Sequence, residues 1–282
     1  MLSLAVTPVS VKVFWNQAAA PPTSDASVIR SYPHDERAFT QGLFFERGGT
    51  LIESTGIYGE SSIRRVELES GRVLKRVALR DEWFGEGVTV QGGRCLQLLW
   101  REGLGLERHP RSFELQRTFP LPRGIVEGWG ITCDGDGALY VSDGTSTVHV
   151  LEPRSLEVAR TMRISDPARG EVRRINELQW IGGEIYANIW REERIAVIEP
   201  ATGTVRRYID LSKLLTPEER RSMLFGESGY VPIGEKVANG IAFDARRSKL
   251  YVTGKCWPRL FEIALPRPAE SPREGGGLQW LK

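Results

Sequence analysis

The chain has 282 residues, 40% of them hydrophobic, which is enough for a core and within the range of one all-β domain. Its 38 Lys and Arg against 36 Asp and Glu leave a formal charge of +2, with the two signs interspersed. That pattern excludes the basic stripe of a nucleic-acid binder, and no apolar run approaches the roughly 20 residues of a membrane-spanning helix.

Residues 1–26 differ from the rest. MLSLAVTPVSVKVFW is broken by Pro8 and Lys12 and runs into small residues and Pro21-Pro22. The segment reads either as an export signal ending near Ala18–Ala20, which would put the protein in the periplasm or outside the cell, or as a disordered leader. VIRSYP (28–33) then precedes the first repeat.

From residue 41 a unit repeats. Gln41 opens QGLFFERGGTLIESTG, Glu86 opens EGVTVQGGRCLQLLWREG and Trp129 opens WGITCDGDGALYVSDG. Asn176 opens NELQWIGGEIYANIWREE and Asn239 opens NGIAFDARRSKLYVTGK, so the steps are 45, 43, 47 and 63. Each copy is an apolar strand, a Gly- or Asp-rich turn, a second strand and a polar exit. Two further strands follow in the first four copies, joined by turns aligned on Glu69, Glu107, Glu152 and Glu199. Four short strands every ~40–50 residues are the signature of a β-propeller.

The fifth copy has only GIAFD, KLYVTGK and LFEIAL before a Pro/Gly-rich tail. Strand 28–33 can supply the missing one and pair the open sheet edges. The expectation is therefore all-β: a five-bladed β-propeller of four-stranded antiparallel blades over 27–265, with a leader over 1–26 and a tail over 266–282. The only large insertion, 211–238, contains TPEERRSML, a helix start with Thr216 as cap and Pro217 in the first turn. At a blade rim such an insertion forms a lid or a pocket wall.

Cys95, Cys133 and Cys256 are an odd set beside inner strands and read as buried thiols. His34, His109 and His149 are scattered and form no zinc motif. Strand A of a blade starts at the face to which strand B returns, so A-starts and B-ends converge near the axis. The A-starts are Gln41, Glu86, Trp129, Asn176 and Asn239, and the B-ends include Trp100, Asp143, Trp190 and Lys255. An aromatic set with a few convergent polar groups is the composition of a small-ligand pocket.

The strings HDERAFTQGL, ESTGIYGES, WFGEGVT, EGWGIT, LYVSDG, NELQW, IYANIW, ANGIAFD and VTGKCWP together resemble the plant- and bacterial-type glutaminyl cyclases over about residues 30–265. The resemblance implies catalytic roles for Glu86 as acid/base, Asn176 and Lys255. It implies substrate contacts at Phe39, Gln41, Trp100, Trp129 and Trp190. The implied reaction turns the N-terminal glutamine of a peptide or protein into pyroglutamate and releases ammonia. No cofactor or zinc is implied for that chemistry, although relatives can carry a structural, calcium-like ion in the channel. The expected partners are peptides with N-terminal Gln, and the expected state is a monomer.

Two other classes fit a propeller, since fold does not fix function. One is a non-catalytic scaffold that binds a peptide or protein, which has no reason to gather Glu86, Asn176 and Lys255 at one mouth. The other is a metal-dependent hydrolase or lactonase, which wants several carboxylates around one ion where the A-starts offer one.

Overall fold

The computed structural model describes residues 19–46, 48–225 and 231–265. The expected tail 266–282, most of the leader and part of the insertion lie outside the described residues. Blade one is built from Thr40–Glu46, Thr50–Thr55, Ser62–Glu67 and Val73–Ala78. Blade two runs Gly85–Gln91, Arg94–Leu99, Leu104–Arg108 and Leu115–Pro120, and blade three Ile131–Cys133, Leu139–Ser142, Thr147–Leu151 and Val158–Arg163. Blade four is Ile175–Ile181, Glu184–Ile189, Arg194–Ile198 and Val205–Asp210, and blade five Ala238–Asp244, Lys249–Gly254 and Arg259–Ile263. Within each blade the strands pair antiparallel in chain order. The inner strands touch in sequence around the ring, and the fifth touches the first.

Val28–Pro33 completes blade five, as expected. It pairs antiparallel with Arg259–Ile263, from Val28 opposite Ile263 to Pro33 opposite Arg259. One strand was not expected. Thr23–Asp25, inside the anticipated leader, pairs parallel with Val205–Asp210 and gives blade four a fifth strand. Its three polar residues have no alternation, so nothing in the sequence marks it.

The core lies between blades. Ile185, Ile198 and Val205 of blade four pack on Val148, Val150 and Met162 of blade three. Ile195 and Val197 of blade four pack on Ile241, Leu250 and Val252 of blade five. Burying each such side chain contributes about 1.5–3 kcal/mol. Inner strands are buried on both faces, whereas outer strands such as Val73–Ala78 are largely exposed.

The turns between third and fourth strands correct the sequence alignment. In each, one residue donates its N–H to the carbonyl five residues on and accepts from the N–H four residues on. The residues in that position are Glu67, His109, Glu152 and Glu199. The expected Glu69 and Glu107 are each two residues out of register. The residue four further on has positive φ in all four turns: Gly71, Phe113, Leu156 and Gly203. His109 does with Nδ1 what Glu152 does with a carboxylate, accepting the N–H groups of the second and third residues after it. A shared role for His and Glu hides the equivalence in the sequence.

The insertion holds the expected helix, Pro217–Phe225. Thr216 Oγ1 accepts from Glu219 N at 3.1 Å and Glu219 Oε2 accepts from Thr216 N at 2.9 Å, a reciprocal capping box. A 3-10 turn, Ile233–Glu235, then returns the chain to the ring. Among the described residues no helix is long and apolar enough to cross a membrane.

Candidate active site

Four of the five inner strands carry glycine after the A-start: Gln41-Gly42, Glu86-Gly87, Trp129-Gly130 and Asn239-Gly240. The pleat is interrupted there by a register shift in blades one, two, four and five. Such bulges re-aim a side chain. The glycines let the blades close up. A Cβ on Gly42 would sit 2.5 Å from Val88 N, and one on Gly130 would sit 2.3 Å from Asn176 O. Blade four breaks the pattern with Glu177. Its carboxylate reaches the inner strands of blades one and five and accepts from Leu43 N at 3.3 Å and Ile241 N at 3.0 Å. Burial pushes the Glu177 carboxyl well above the usual range, against the lowering by those two donors.

The re-aimed side chains meet in a cavity of about 390 Å3, a size suited to a small ligand. Phe39, Gln41, Glu86, Trp100, Trp129, Asn176, Trp190 and Lys255, all eight residues expected at the site, line it. Gln41 Nε2 donates to Glu86 Oε1 at 2.9 Å. Glu86 Oε2 is buried with no partner among the described residues, and so is Asn176 Oδ1. Lys255 Nζ lies 4.7 Å from the centroid of the Phe39 ring. Lys255 is fixed by its backbone, where Lys255 N donates to Val237 O and Cys256 N to Ala38 O. Cys256 takes φ +59° to make that turn.

Burial drives both ionisable groups toward neutrality. It raises the Glu86 carboxyl well above the usual carboxylate range, with Lys255 opposing and Glu127 and Glu102 adding to the rise. It lowers the Lys255 ammonium, with Glu86 and Glu235 opposing. A pair shifted in this way is a common mark of a catalytic site.

The aromatic wall is held by acids that the sequence reading missed. Glu127 Oε2 accepts from both Trp100 Nε1 and Trp129 Nε1, each at 2.9 Å. Its other oxygen takes Arg101 Nε at 2.8 Å, and the Arg101 guanidinium stacks 3.8 Å from the Trp100 ring. Glu235, from the insertion, does the same for Trp190. It accepts the indole N–H at 3.0 Å and binds Arg191, whose guanidinium stacks on that ring. Trp129 and Trp190 meet edge to face at 5.8 Å. Phe84 bridges Phe39 and Trp100, and Ile57 completes the wall with φ +84°. Positive φ is a strained state for a β-branched residue.

Two of the converging A-starts and B-ends, Asp143 and Asn239, do not reach the cavity lining. Asp143 accepts from His149 Nε2 at 2.9 Å and from Thr145 Oγ1 at 2.6 Å, and the Trp129 ring lies against Gly144 beside it. Asn239 lies behind Gln41, with its Nδ2 directed at Thr40 O, Gln41 O and Gln41 Oε1. A signal for two missed residues was present. Phe84 and Glu127 stand two positions before Glu86 and Trp129, just as Phe39 stands before Gln41. Glu235 lies in the aperiodic insertion and had none.

Among the described residues no group of three or more His, Cys, Asp or Glu side chains could hold a metal ion. In the channel Glu177 commits both oxygens to backbone N–H groups.

The sequence model of the glutamine cyclotransferase family matches residues 1–265. The chain belongs to that family. It is 40% identical to the glutaminyl-peptide cyclotransferase of Arabidopsis thaliana over 242 residues, which is 86% of this chain and 72% of that protein. Its fold is similar to the crystal structure of Myxococcus xanthus glutaminyl cyclase, with a TM-score of 0.73 and 37% identity. That match covers 86% of this chain and 97% of the other. Glutamine cyclotransferase membership thus coincides with a cavity lined by a buried glutamate, a buried lysine and aromatic walls.

Proposed function

We propose that this protein is a glutaminyl-peptide cyclotransferase that works without zinc, in the aminoacyltransferase class, on peptides and proteins that begin with glutamine. The observation that carries the reading is Glu86, buried, with one oxygen held by Gln41 and the other unpartnered at the cavity. The substrate supplies its own nucleophile. Its α-amine attacks the side-chain amide carbon, the new C–N bond closes a five-membered ring, and the old C–N bond breaks to release ammonia.

Glu86 Oε2 takes the proton that the amine loses and returns it to the leaving nitrogen, so the carboxylate ends as it began. A free α-amine has a pKa of roughly 7.7–8.0. A carboxyl raised by burial is better matched to that donor than an exposed one. Lys255 and Asn176 are the donors available to the amide oxygen as it becomes an oxyanion, and loss of one such donor typically costs about 2.7–4 kcal/mol of barrier. The indole N–H groups are tied to Glu127 and Glu235. The walls therefore offer flat faces that keep a flexible glutamine side chain curled, and they do not compete for its oxygen.

Ammonia release from a Gln-initiated dipeptide tests the reading. The N-acetylated dipeptide should be inert, and a chelator should leave the rate unchanged. Ammonia from the acetylated peptide, or a rapid metal-reversible loss of kcat while the fold persists, would overturn it.

A further inference from the structure

Asn239 has the look of a pocket residue in the sequence and stands one layer back in the structure, fully buried. Its Nδ2 is 3.0 Å from Thr40 O, 3.4 Å from Gln41 O and 3.3 Å from Gln41 Oε1. Its Oδ1 has no partner among the described residues.

The orientation of both amides follows from the acceptors. Thr40 O and Gln41 O are backbone carbonyls and can only accept. Asn239 must therefore turn its NH2 toward them, which also brings that NH2 to the side chain of Gln41. Gln41 must answer with Oε1. Its own NH2 is then the end that meets Glu86 Oε1, at 2.9 Å. A flipped Gln41 would set carbonyl oxygen against carboxylate oxygen and leave Asn239 facing a donor. Two backbone carbonyls of blade one thus dictate, through a side chain of blade five, which end of Gln41 faces the carboxylate of blade two.

We infer that Asn239 is a positioning residue that acts through Gln41: it locks Gln41 as a donor to Glu86 Oε1 and so leaves Glu86 Oε2 as the oxygen that exchanges a proton with the substrate. This rests on the role proposed above for Glu86. The other groups that act on Glu86 are Lys255 from blade five, Glu127 and Glu102 from the rim, and Tyr58 from the loop after the second strand of blade one. None of these contacts Asn239 among the described hydrogen bonds. A change at Asn239 should therefore reach Glu86 by the Gln41 route alone.

The test reads the Glu86 titration directly in the substrate-free protein, by infrared difference against Glu86→Gln, alongside the acidic limb of kcat/KM. Asn239→Ala and Asn239→Ser should move both upward by about one pH unit, the equivalent of one hydrogen bond to a charged group. KM should change less than kcat at low pH. Gln41→Leu should produce the same shift, and Asn239→Ala in the Gln41→Leu background should add nothing. A shift that adds in the double variant, or a Glu86 titration that stays put in Gln41→Leu, overturns the relay. Asn239 variants that fold and leave the Glu86 titration where it is in the wild type overturn it as well. The infrared readout needs no turnover. A protein whose Glu86 titration shifts as expected but which releases no ammonia would refute the proposed function and leave the relay standing.

Discussion

Glu86 and Lys255, an acid and a base, are both buried and line one cavity, yet among the described residues they form no ion pair. Each feels the other as a field. Glu86 spends one oxygen on Gln41, and Lys255 lies over the face of Phe39. A direct salt bridge would quench both groups. Their separation keeps an acceptor and a donor apart across a space that a substrate amide can fill.

Glu86→Gln should lower kcat by about 10²–10⁴-fold, the usual worth of a positioned acid/base. It should not unfold the protein. A carboxyl raised in the folded state loses stability as pH rises through its folded value, so the neutral amide should raise Tm, and more so at higher pH. Paired melting curves and steady-state kinetics check this. A variant with near wild-type kcat would remove Glu86 from the proton path.

The pH profile of kcat/KM, which reports the substrate-free protein, should be a narrow bell. Glu86 must be ionised to accept a proton, and its raised value moves the acidic limb above the ordinary carboxylate range. Lys255 must stay protonated to donate, and its lowered value moves the basic limb below the ordinary lysine range. Lys255→Arg resists deprotonation, so in that variant the basic limb should recede to higher pH while kcat falls. A basic limb unmoved by Lys255→Arg would assign it to another group.

Glu127→Leu should raise KM more than it lowers kcat. The change frees two indole N–H groups and the Arg101 guanidinium at once. A hydrogen bond to a charged group is worth about 1.5–3 kcal/mol, so a KM increase of about tenfold or more is expected. In a Trp100→Phe, Trp129→Phe background, where no N–H remains to hold, the same substitution should have far less effect. An equal effect in both backgrounds would give Glu127 a role apart from the two indoles.

Glu53→Gln should destabilise the fold by about 3–5 kcal/mol, the cost of breaking a buried pair. Glu53 accepts two bonds from Arg64, one from Thr40 and one from His34 Nε2, while His34 Nδ1 faces Trp257 O. Arg64 and His34 hold the Glu53 carboxyl well below its usual value despite full burial. Stability from such a group is full above the unfolded value, roughly 4.3, and is lost as pH falls through the folded one. The variant should therefore show a flatter fall of Tm with acid than the wild type. An unchanged acid slope would mean that other carboxylates dominate it.

The sequence carried the ring because a blade is a local unit whose strands, turns and Gly pairs recur at near-constant spacing. It carried eight of the residues that line the cavity because A-starts and B-ends converge in any propeller, and because the family motifs fall on those positions. What it concealed depends on contacts between distant segments. Asn239 and Asp143 hold equivalent repeat positions to pocket residues, yet Gln41 covers the first and His149 engages the second. Glu235 reaches Trp190 only because a 3-10 turn outside the repeat brings it there. Thr23–Asp25 and the turn residue His109 were hidden for a chemical reason: polar side chains can serve a strand edge or a turn without any apolar period.

The pairing of Val28–Pro33 with Arg259–Ile263 sets an order on biosynthesis. The strand that seals the ring is made before the first blade, and its partner only after the fourth. Every nascent chain shorter than the full propeller must hold an open ring with a waiting edge, the situation in which chaperones are most needed. Lys255 lies beside that partner strand, between Gly254 and Arg259. A chain made only through the fourth blade thus lacks both its closure and Lys255, so the cavity is complete only once the fifth blade has followed.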